Sequence, residues 1–252
     1  MTSIETYPIE TSLDDVGAGG RIGLIALATD FNSEQDLRRI LPDDVEIFTH
    51  RVLNANPVTI QNLKNMAADI SRAAAGILPG ERLDAMIYGC TSGAVVNGAE
   101  RIEELIHERC PGIPVTNPAT AALAAFEHFG VSKISILTPY TDTVNRKMLS
   151  FFEDAGIDVV NIIGLGFESD SEMTGIPPSE ISRIAAQVVA AEADLLFISC
   201  TAIRAAGVIE DIEQLILKPV VTSNQALIWH SLALIDYAKP IVGFGSLFRQ
   251  QT

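Results

Sequence analysis

The stretch RIGLIALATD at residues 21–30 has a counterpart in KISILTPYTD at residues 133–142. Each is a basic residue, an apolar run typical of a strand buried on both faces, and a closing Thr-Asp pair. Along the chain, short apolar runs of this kind alternate with longer amphipathic segments such as SEQDLRRIL and IQNLKNMAADISRAAAGIL. Strands that alternate with helices predict an α/β fold with parallel sheets flanked by helices.

A cysteine motif recurs at the same place in each repeat. Cys90 lies in IYGCTSG at 87–93 and Cys200 in FISCTAI at 197–203, each after an apolar run and before a threonine. The two cysteines follow the first apolar residue of their repeats by 68 and 66 positions. This spacing predicts two pseudo-symmetric half-domains, and a single repetitive sheet is the alternative.

The repeat also predicts how the chain is divided. Residues 1–20 have little pattern and end in GAGG, so we expect an N-terminal arm. We predict a first half-domain from 21–116 plus 226–252 and a second half-domain from 117–225.

Composition limits the classes of partner. The chain has 252 residues, of which 48% are hydrophobic and 19% charged, enough apolar content for a large core. A formal net charge of −15 disfavours nucleic acid and anionic membrane surfaces. There is no signal-peptide pattern and no long apolar run, so we expect a cytoplasmic protein. We also expect a homo-oligomer. Three cysteines without CxxC spacing predict neither a disulfide framework nor a structural metal.

The two cysteine motifs suggest a shared chemistry. Each cysteine is expected where a parallel strand ends and a helix begins, which is where α/β proteins bind ligands. Helix N–H groups there favour a carboxylate and lower a thiol pKa, and the hydroxyls of Thr91, Ser92 and Thr201 add donors. Two thiols on opposite sides of one substrate suit inversion of a carbon centre, in which one removes a proton and the other delivers one. The alternative is a pair of small buried residues at strand ends.

The two Cys-Thr motifs, TPYTDTVNRKMLSFFEDAGIDV and the closing GFGSLF resemble the aspartate/glutamate racemase superfamily. The resemblance covers residues 21–248 and is greatest to the branch of maleate cis-trans isomerases, arylmalonate decarboxylases and the ectoine-utilisation protein A group. It implies two Rossmann-like halves with the active site in the cleft between them. It also implies a small carboxylate substrate and catalysis without metal, nucleotide or organic cofactor.

The resemblance implies roles for individual residues. Cys90 and Cys200 match the paired catalytic cysteines, and Tyr140 matches a tyrosine that hydrogen-bonds the substrate carboxylate. Thr91, Ser92, Thr201 and Ala202 fall where this branch supplies hydroxyl and backbone donors to carboxylate oxygens. Arylmalonate decarboxylases keep only the second cysteine, so the presence of Cys90 makes decarboxylation a minor alternative.

Two positions depart from the maleate isomerases. Asp30 and Asp170 stand where those enzymes carry asparagines. An ionised aspartate repels a carboxylate and accepts hydrogen bonds from an ammonium or amide N–H. We therefore expect a nitrogen-bearing carboxylate, such as a diaminobutyrate-type compound of ectoine degradation, in preference to maleate. For Asp30, a role at the start of the helix in SEQDLRRIL is the alternative.

Three other functions remain open on the sequence. One is a maleate-type cis-trans isomerase that adds cysteine to the double bond, and the second is an arylmalonate-type decarboxylase. The third is a non-catalytic protein that binds a small carboxylate, which needs donors but not two thiols. The pair of cysteines favours a racemase or isomerase.

Overall fold

The computed structural model describes residues 2–249 and contains two parallel four-stranded sheets. The apolar runs that begin the two repeats and those that precede Cys90 and Cys200 form strands. The strands in chain order are β1 (Gly20–Leu27), β2 (Val45–Val52), β3 (Ala85–Tyr88), β4 (Val115–Thr116), β5 (Lys133–Thr138), β6 (Asp158–Gly164), β7 (Leu195–Ile198) and β8 (Val220–Thr222). The first sheet has the order β2-β1-β3-β4, and the second has the order β6-β5-β7-β8. The same order in both sheets confirms the predicted duplication and the α/β class.

Helices connect the parallel strands, as the amphipathic segments predict. They are α1 (Ser33–Ile40), α2 (Ile60–Asn65), α3 (Ala67–Ala75), α4 (Thr91–Asn97), α5 (Ala99–His107), α6 (Pro118–Phe129), α7 (Asp142–Asp154), α8 (Asp170–Gly175), α9 (Pro178–Val188), α10 (Ile209–Ile216) and α11 (Ser223–Leu234). Two short 3₁₀ helices cover Ala206–Val208 and Ser246–Phe248. Within residues 2–249, none of the helices is both long and apolar enough to cross a bilayer.

The strands that precede the two cysteines lie next to the first strand of their halves. Strand β3 pairs with β1 up to Tyr88 opposite Ile25, and β7 pairs with β5 up to Ile198 opposite Leu137. All residues of β3 and β7 are buried, which explains why both read as uninterrupted apolar runs.

The C-terminal helix packs on the first sheet. Leu227, Ile228 and Leu232 of α11 belong to the same buried cluster as Ile22 and Leu24 of β1. This packing favours the assignment of residues after 225 to the first half, although the domain boundaries themselves stay a prediction.

The N-terminal segment lies outside the sheets. Residues 2–10 form no helix or strand, and Ile4, Tyr7 and Leu13 are exposed. The segment joins the fold where Arg21 donates a hydrogen bond to the Val16 carbonyl at 2.7 Å. The arm over residues 1–20 stays a prediction; Gly20 already belongs to β1, and Met1 lies outside the described residues.

Three aromatic rings occupy the centre of the second core. The ring centroids of Phe126, Phe152 and Phe197 are 5.6–5.8 Å apart, and all three side chains are fully buried. We expect Phe152→Ala to lower the free energy of unfolding by about 3–5 kcal/mol, because it leaves a cavity that the sheet cannot close. Phe31 is 62% exposed, so Phe31→Ala is the matched control and should change stability by less than about 0.5 kcal/mol. Urea denaturation measures both, and equal losses would contradict the assignment of this core.

Candidate active site

Cys90 follows β3 and caps α4. Its backbone is extended, with φ −144°, and its Sγ accepts a hydrogen bond from the Gly93 N–H at 3.2 Å. A Cβ at Gly93 would lie 2.9 Å from this sulfur and 2.7 Å from the Tyr88 hydroxyl. The glycine of CTSG therefore allows the thiol to lie against the start of the helix.

Cys200 follows β7 with a different backbone. Its φ is 101°, in the region that favours glycine and that other residues keep only when their surroundings enforce it. The chain then forms the 3₁₀ helix Ala206–Val208, and α10 begins at Ile209. The expectation that both cysteines begin a helix is confirmed for Cys90 and wrong for Cys200, because residues 201–205 form a turn and a loop before the next helix.

Both cysteines line one cavity between the two sheets. Its volume is about 20 Å³, the room for one water molecule, so the site is closed around the thiols in this structure. The lining residues come from both halves of the chain: Leu27, Asn54, Ala55, Val58, Asn62, Leu63, Met66, Cys90, Thr91, Ser92, Tyr140, Asp170, Cys200 and Thr201. In this described set, Asp170 is the only carboxylic acid, and the set has no lysine, arginine or histidine.

The cavity keeps both thiols protonated. Burial, with a smaller contribution from the nearby Asp170 carboxylate, raises the pKa of Cys90 and of Cys200 to about 12. The hydrogen bond from Gly93 lowers the pKa of Cys90, but by less than burial raises it. The expectation of a lowered thiol pKa is therefore wrong for the empty site, because loss of water outweighs the donors at the helix start.

The predicted hydroxyl donors lie around the thiols. Tyr140 lines the cavity with its hydroxyl against Cys200 and Ser92, and burial raises the pKa of this phenol well above its usual value. The Ser92 hydroxyl is 3.8 Å from Cys90 Sγ. The Thr91 hydroxyl donates to Ser223 Oγ at 2.9 Å, so its single hydrogen is already used within the protein.

Two further predicted residues belong to the Cys200 turn. The Thr201 hydroxyl lines the cavity and donates to the Gly89 carbonyl at 3.4 Å. Ala202 lies outside the lining set, and its backbone N–H points to Cys200 Sγ at 3.4 Å. Ala202 therefore contacts the thiol, while its contact with substrate stays a prediction.

Asp170 lies in the cavity wall at the start of α8. Its Oδ2 accepts hydrogen bonds from the Thr29 hydroxyl and from Asn54 Nδ2, the latter at 2.9 Å. Burial raises the pKa of this carboxyl, and the neighbouring Asp30 raises it further. Because both protein donors bind Oδ2, the Oδ1 atom has no protein partner within residues 2–249 and is free for a ligand.

Asp30 has a different environment. Its Oδ1 accepts hydrogen bonds from the backbone N–H groups of Asn32 at 2.7 Å and Ser33 at 2.9 Å, where α1 begins. Asp30 is buried but is not part of the cavity lining. These contacts fit the alternative that this carboxylate holds the start of the helix, and its contact with substrate stays a prediction.

Three residues at the site have no counterpart in the sequence predictions. Asn54 and Asn62 line the cavity, and Ser223 bonds to both cysteine motifs. Asn54 follows the end of β2 and Ser223 follows the end of β8, so both lie at strand ends of the kind that bind ligands in parallel sheets. Their positions after strands could therefore have identified Asn54 and Ser223 as site residues. Asn62 lies within α2, and no sequence pattern identifies it.

The high thiol pKa values predict how the cysteines react with iodoacetamide, which attacks only the thiolate. With a pKa of about 12, the thiolate fraction of Cys90 and Cys200 rises tenfold per pH unit, so alkylation should accelerate throughout about pH 7–10 in the folded protein. In urea-unfolded protein, the same cysteines should titrate near about pH 8.5 and their rates should level off above it. Peptide mass spectrometry measures each site. A folded-state rate that levels off below about pH 9 would contradict the burial effect.

Comparison with known proteins gives related sequences over most of the chain. The model of the family described as arylmalonate decarboxylase (Amdase) matches residues 34–248. The arylmalonate decarboxylase of Bordetella bronchiseptica is 26% identical over 140 residues, which cover 54% of this chain and 58% of that protein, less than two thirds of its length. The maleate isomerase of Alcaligenes faecalis is 25% identical over 187 residues, which cover 71% of each protein.

Solved structures of maleate isomerases have the same fold as this chain. The maleate isomerase Iso of Pseudomonas putida S16 superposes with a TM-score of 0.84 at 20% identity, covering 92% of this chain and 99% of that one. A mutant of the Nocardia farcinica maleate cis-trans isomerase with a covalently bound succinylcysteine intermediate gives a TM-score of 0.84 at 21% identity and the same coverage. These structures confirm the fold class. The family model, which matches residues 34–248, shows that the chain belongs to the arylmalonate decarboxylase family.

Proposed function

We propose that the protein is a cofactor-independent isomerase in which Cys90 and Cys200 act together on a small nitrogen-bearing carboxylate. The observation that carries this proposal is that two thiols from different sheets line one buried cavity. A protein that only binds a carboxylate needs hydrogen-bond donors but has no use for two opposed thiols.

The cavity suits a substrate with one carboxylate. Tyr140 and Ser92 offer hydroxyl donors, and α4 begins at Thr91 with N–H groups that have no partner within the helix. The lining set contains no lysine, arginine or histidine. A second carboxylate would therefore face Asp170 without a compensating cation, which disfavours a dianion such as maleate.

The position of Asp170 favours a substrate that contains a nitrogen. Its Oδ2 is held by Thr29 and Asn54, so the carboxylate is oriented before any ligand enters. Its free Oδ1 can accept a hydrogen bond from an ammonium or amide N–H. An amino acid with one carboxylate and one ammonium brings no net charge into this buried site.

Such a substrate also helps to ionise a thiol. The Asp170 carboxylate disfavours a thiolate at Cys90 and at Cys200, and an ammonium bound to Asp170 offsets that repulsion. One thiolate then removes the α-proton from one face while the opposite thiol protonates the other face. Negative charge that develops on the carboxylate is stabilised by the hydroxyl and N–H donors.

A cis-trans isomerisation is the second candidate, and the relatives favour it. Two of the matching proteins are maleate isomerases, and one solved relative contains a succinylcysteine intermediate. In this chemistry one thiolate adds to a double bond, the substrate rotates about the resulting single bond, and the thiolate leaves again.

Decarboxylation is a weaker candidate, since that reaction leaves Cys90 without a role. Among nitrogen-bearing substrates, the resemblance to the ectoine-utilisation group favours a diaminobutyrate-type compound.

Replacement of each cysteine separates these chemistries. We expect Cys90→Ala and Cys200→Ala each to lower racemisation by at least about a thousandfold, because turnover needs both a proton acceptor and a proton donor. Each variant should retain exchange of the α-hydrogen with D₂O from one face. NMR of the substrate measures the exchange. A trapped thioether adduct in the mass spectrum, without deuterium at the α-carbon, would instead establish the addition chemistry.

Replacement of Asp170 tests whether this residue selects a nitrogen-bearing substrate. We expect Asp170→Asn to reduce kcat/KM for an amino-acid carboxylate by about tenfold to a thousandfold and to improve turnover of maleate, since it removes the charge that attracts one and repels the other. Asp30→Asn, assayed in parallel, shows whether Asp30 also contributes to the selection between an amino-acid carboxylate and maleate. Efficient turnover of maleate by the wild type, with no gain in either variant, would show that neither aspartate selects the substrate.

A further inference from the structure

Ser223 connects the two cysteine motifs. It is the first residue of α11 and is fully buried. Its Oγ accepts a hydrogen bond from the Cys200 backbone N–H at 2.9 Å and another from the Thr91 hydroxyl at 2.9 Å. Thr91 directly follows Cys90, so a single oxygen lies between the backbones that carry the two thiols.

The Cys200 side of this connection carries conformational strain. A cysteine with φ 101° keeps that conformation only if its backbone groups are held from outside. Ser223 binds the N–H of Cys200, and the next residue, Asn224, donates from Nδ2 to the carbonyl of Thr201 at 3.0 Å. Two consecutive side chains of α11 therefore hold the peptide groups on both sides of the turn.

The repeat shows that this arrangement is not a general feature of the fold. Thr116 pairs with Ile87, three residues before Cys90, and Val221 pairs with Phe197, three residues before Cys200. Two residues further along, the first half has Pro118 where the second half has Ser223.

Proline has no side-chain hydroxyl and cannot accept such a bond. Cys90, in the half that has Pro118 at the equivalent position, has an ordinary extended backbone with φ −144°. The hydroxyl is thus found only in the half whose cysteine needs to be held.

We propose that Ser223 is a positioning residue that fixes Cys200 relative to Cys90, and that this placement is required for the two-thiol reaction. The inference rests on the proposed function for its effect on turnover. Its effect on the Cys200 thiol itself is independent of any substrate.

Ser223→Ala tests the proposal by removing only the oxygen. With the substrate still bound by the same donors, we expect kcat to fall about tenfold to a hundredfold with KM changed less than about threefold, since a buried hydrogen bond at the reacting group is lost. Ser231→Ala is the matched control, because Ser231 is equally buried in the same helix and its hydroxyl bonds only to the Ile228 carbonyl at 2.8 Å. This control should keep the wild-type kcat. Urea denaturation checks that both variants fold.

A substrate-free measurement separates this proposal from the proposed function. We expect iodoacetamide to alkylate Cys200 at least about threefold faster in Ser223→Ala than in wild type, with Cys90 unchanged, because the freed turn relaxes and exposes its thiol. Equal rates at Cys200 in both proteins would overturn the role of Ser223, whatever the activity.

Two activity outcomes complete the test. A wild type that isomerises no carboxylate, combined with a selective change at Cys200, would overturn the proposed function and retain the positioning role. A wild-type kcat in Ser223→Ala would overturn the requirement for placement. Ser223→Thr, which keeps the oxygen, should restore most of kcat if it folds.

Discussion

The pairing of β3 with β1 and of β7 with β5 determines where the chemistry of this protein lies. Because β3 ends at Tyr88 beside Ile25, Cys90 emerges at the carboxyl end of the first sheet. The matching pair of Ile198 and Leu137 does the same for Cys200 in the second sheet. A one-residue slip would exchange the side chains that pack on the two faces of a strand, so the packing of both cores holds the two thiols at the same cavity.

Much of the fold could be predicted because it depends on patterns that repeat. The apolar runs, the amphipathic segments and the two Cys-Thr motifs all recur, and the structure has two sheets of identical strand order. The placement of Cys90 and Cys200 in one cavity follows from their positions after strands, whereas Tyr140 and Asp170 are identified only through the family resemblance.

Other features depend on tertiary surroundings that no local pattern encodes. The pKa of the thiols is raised because the closed cavity removes water, whereas the helix start alone would lower it. The positive φ of Cys200 has no signal in the sequence, since the residue is not glycine and the bonds that hold it come from α11. Asp170 accepts hydrogen bonds from Thr29 and Asn54, which follow β1 and β2 and are distant from Asp170 in the sequence.

The two thiols belong to separate sheets, and each sheet carries one side of the cavity. Each thiol has its own backbone turn, whereas Asp170 and Ser223 contact or influence both cysteine motifs. The difference between Pro118 and Ser223 shows that the halves have already diverged in this way. In a duplicated fold of this kind, the backbone around each thiol can change separately, which would alter the rate of reaction at each face of the proposed substrate without rebuilding the sheets.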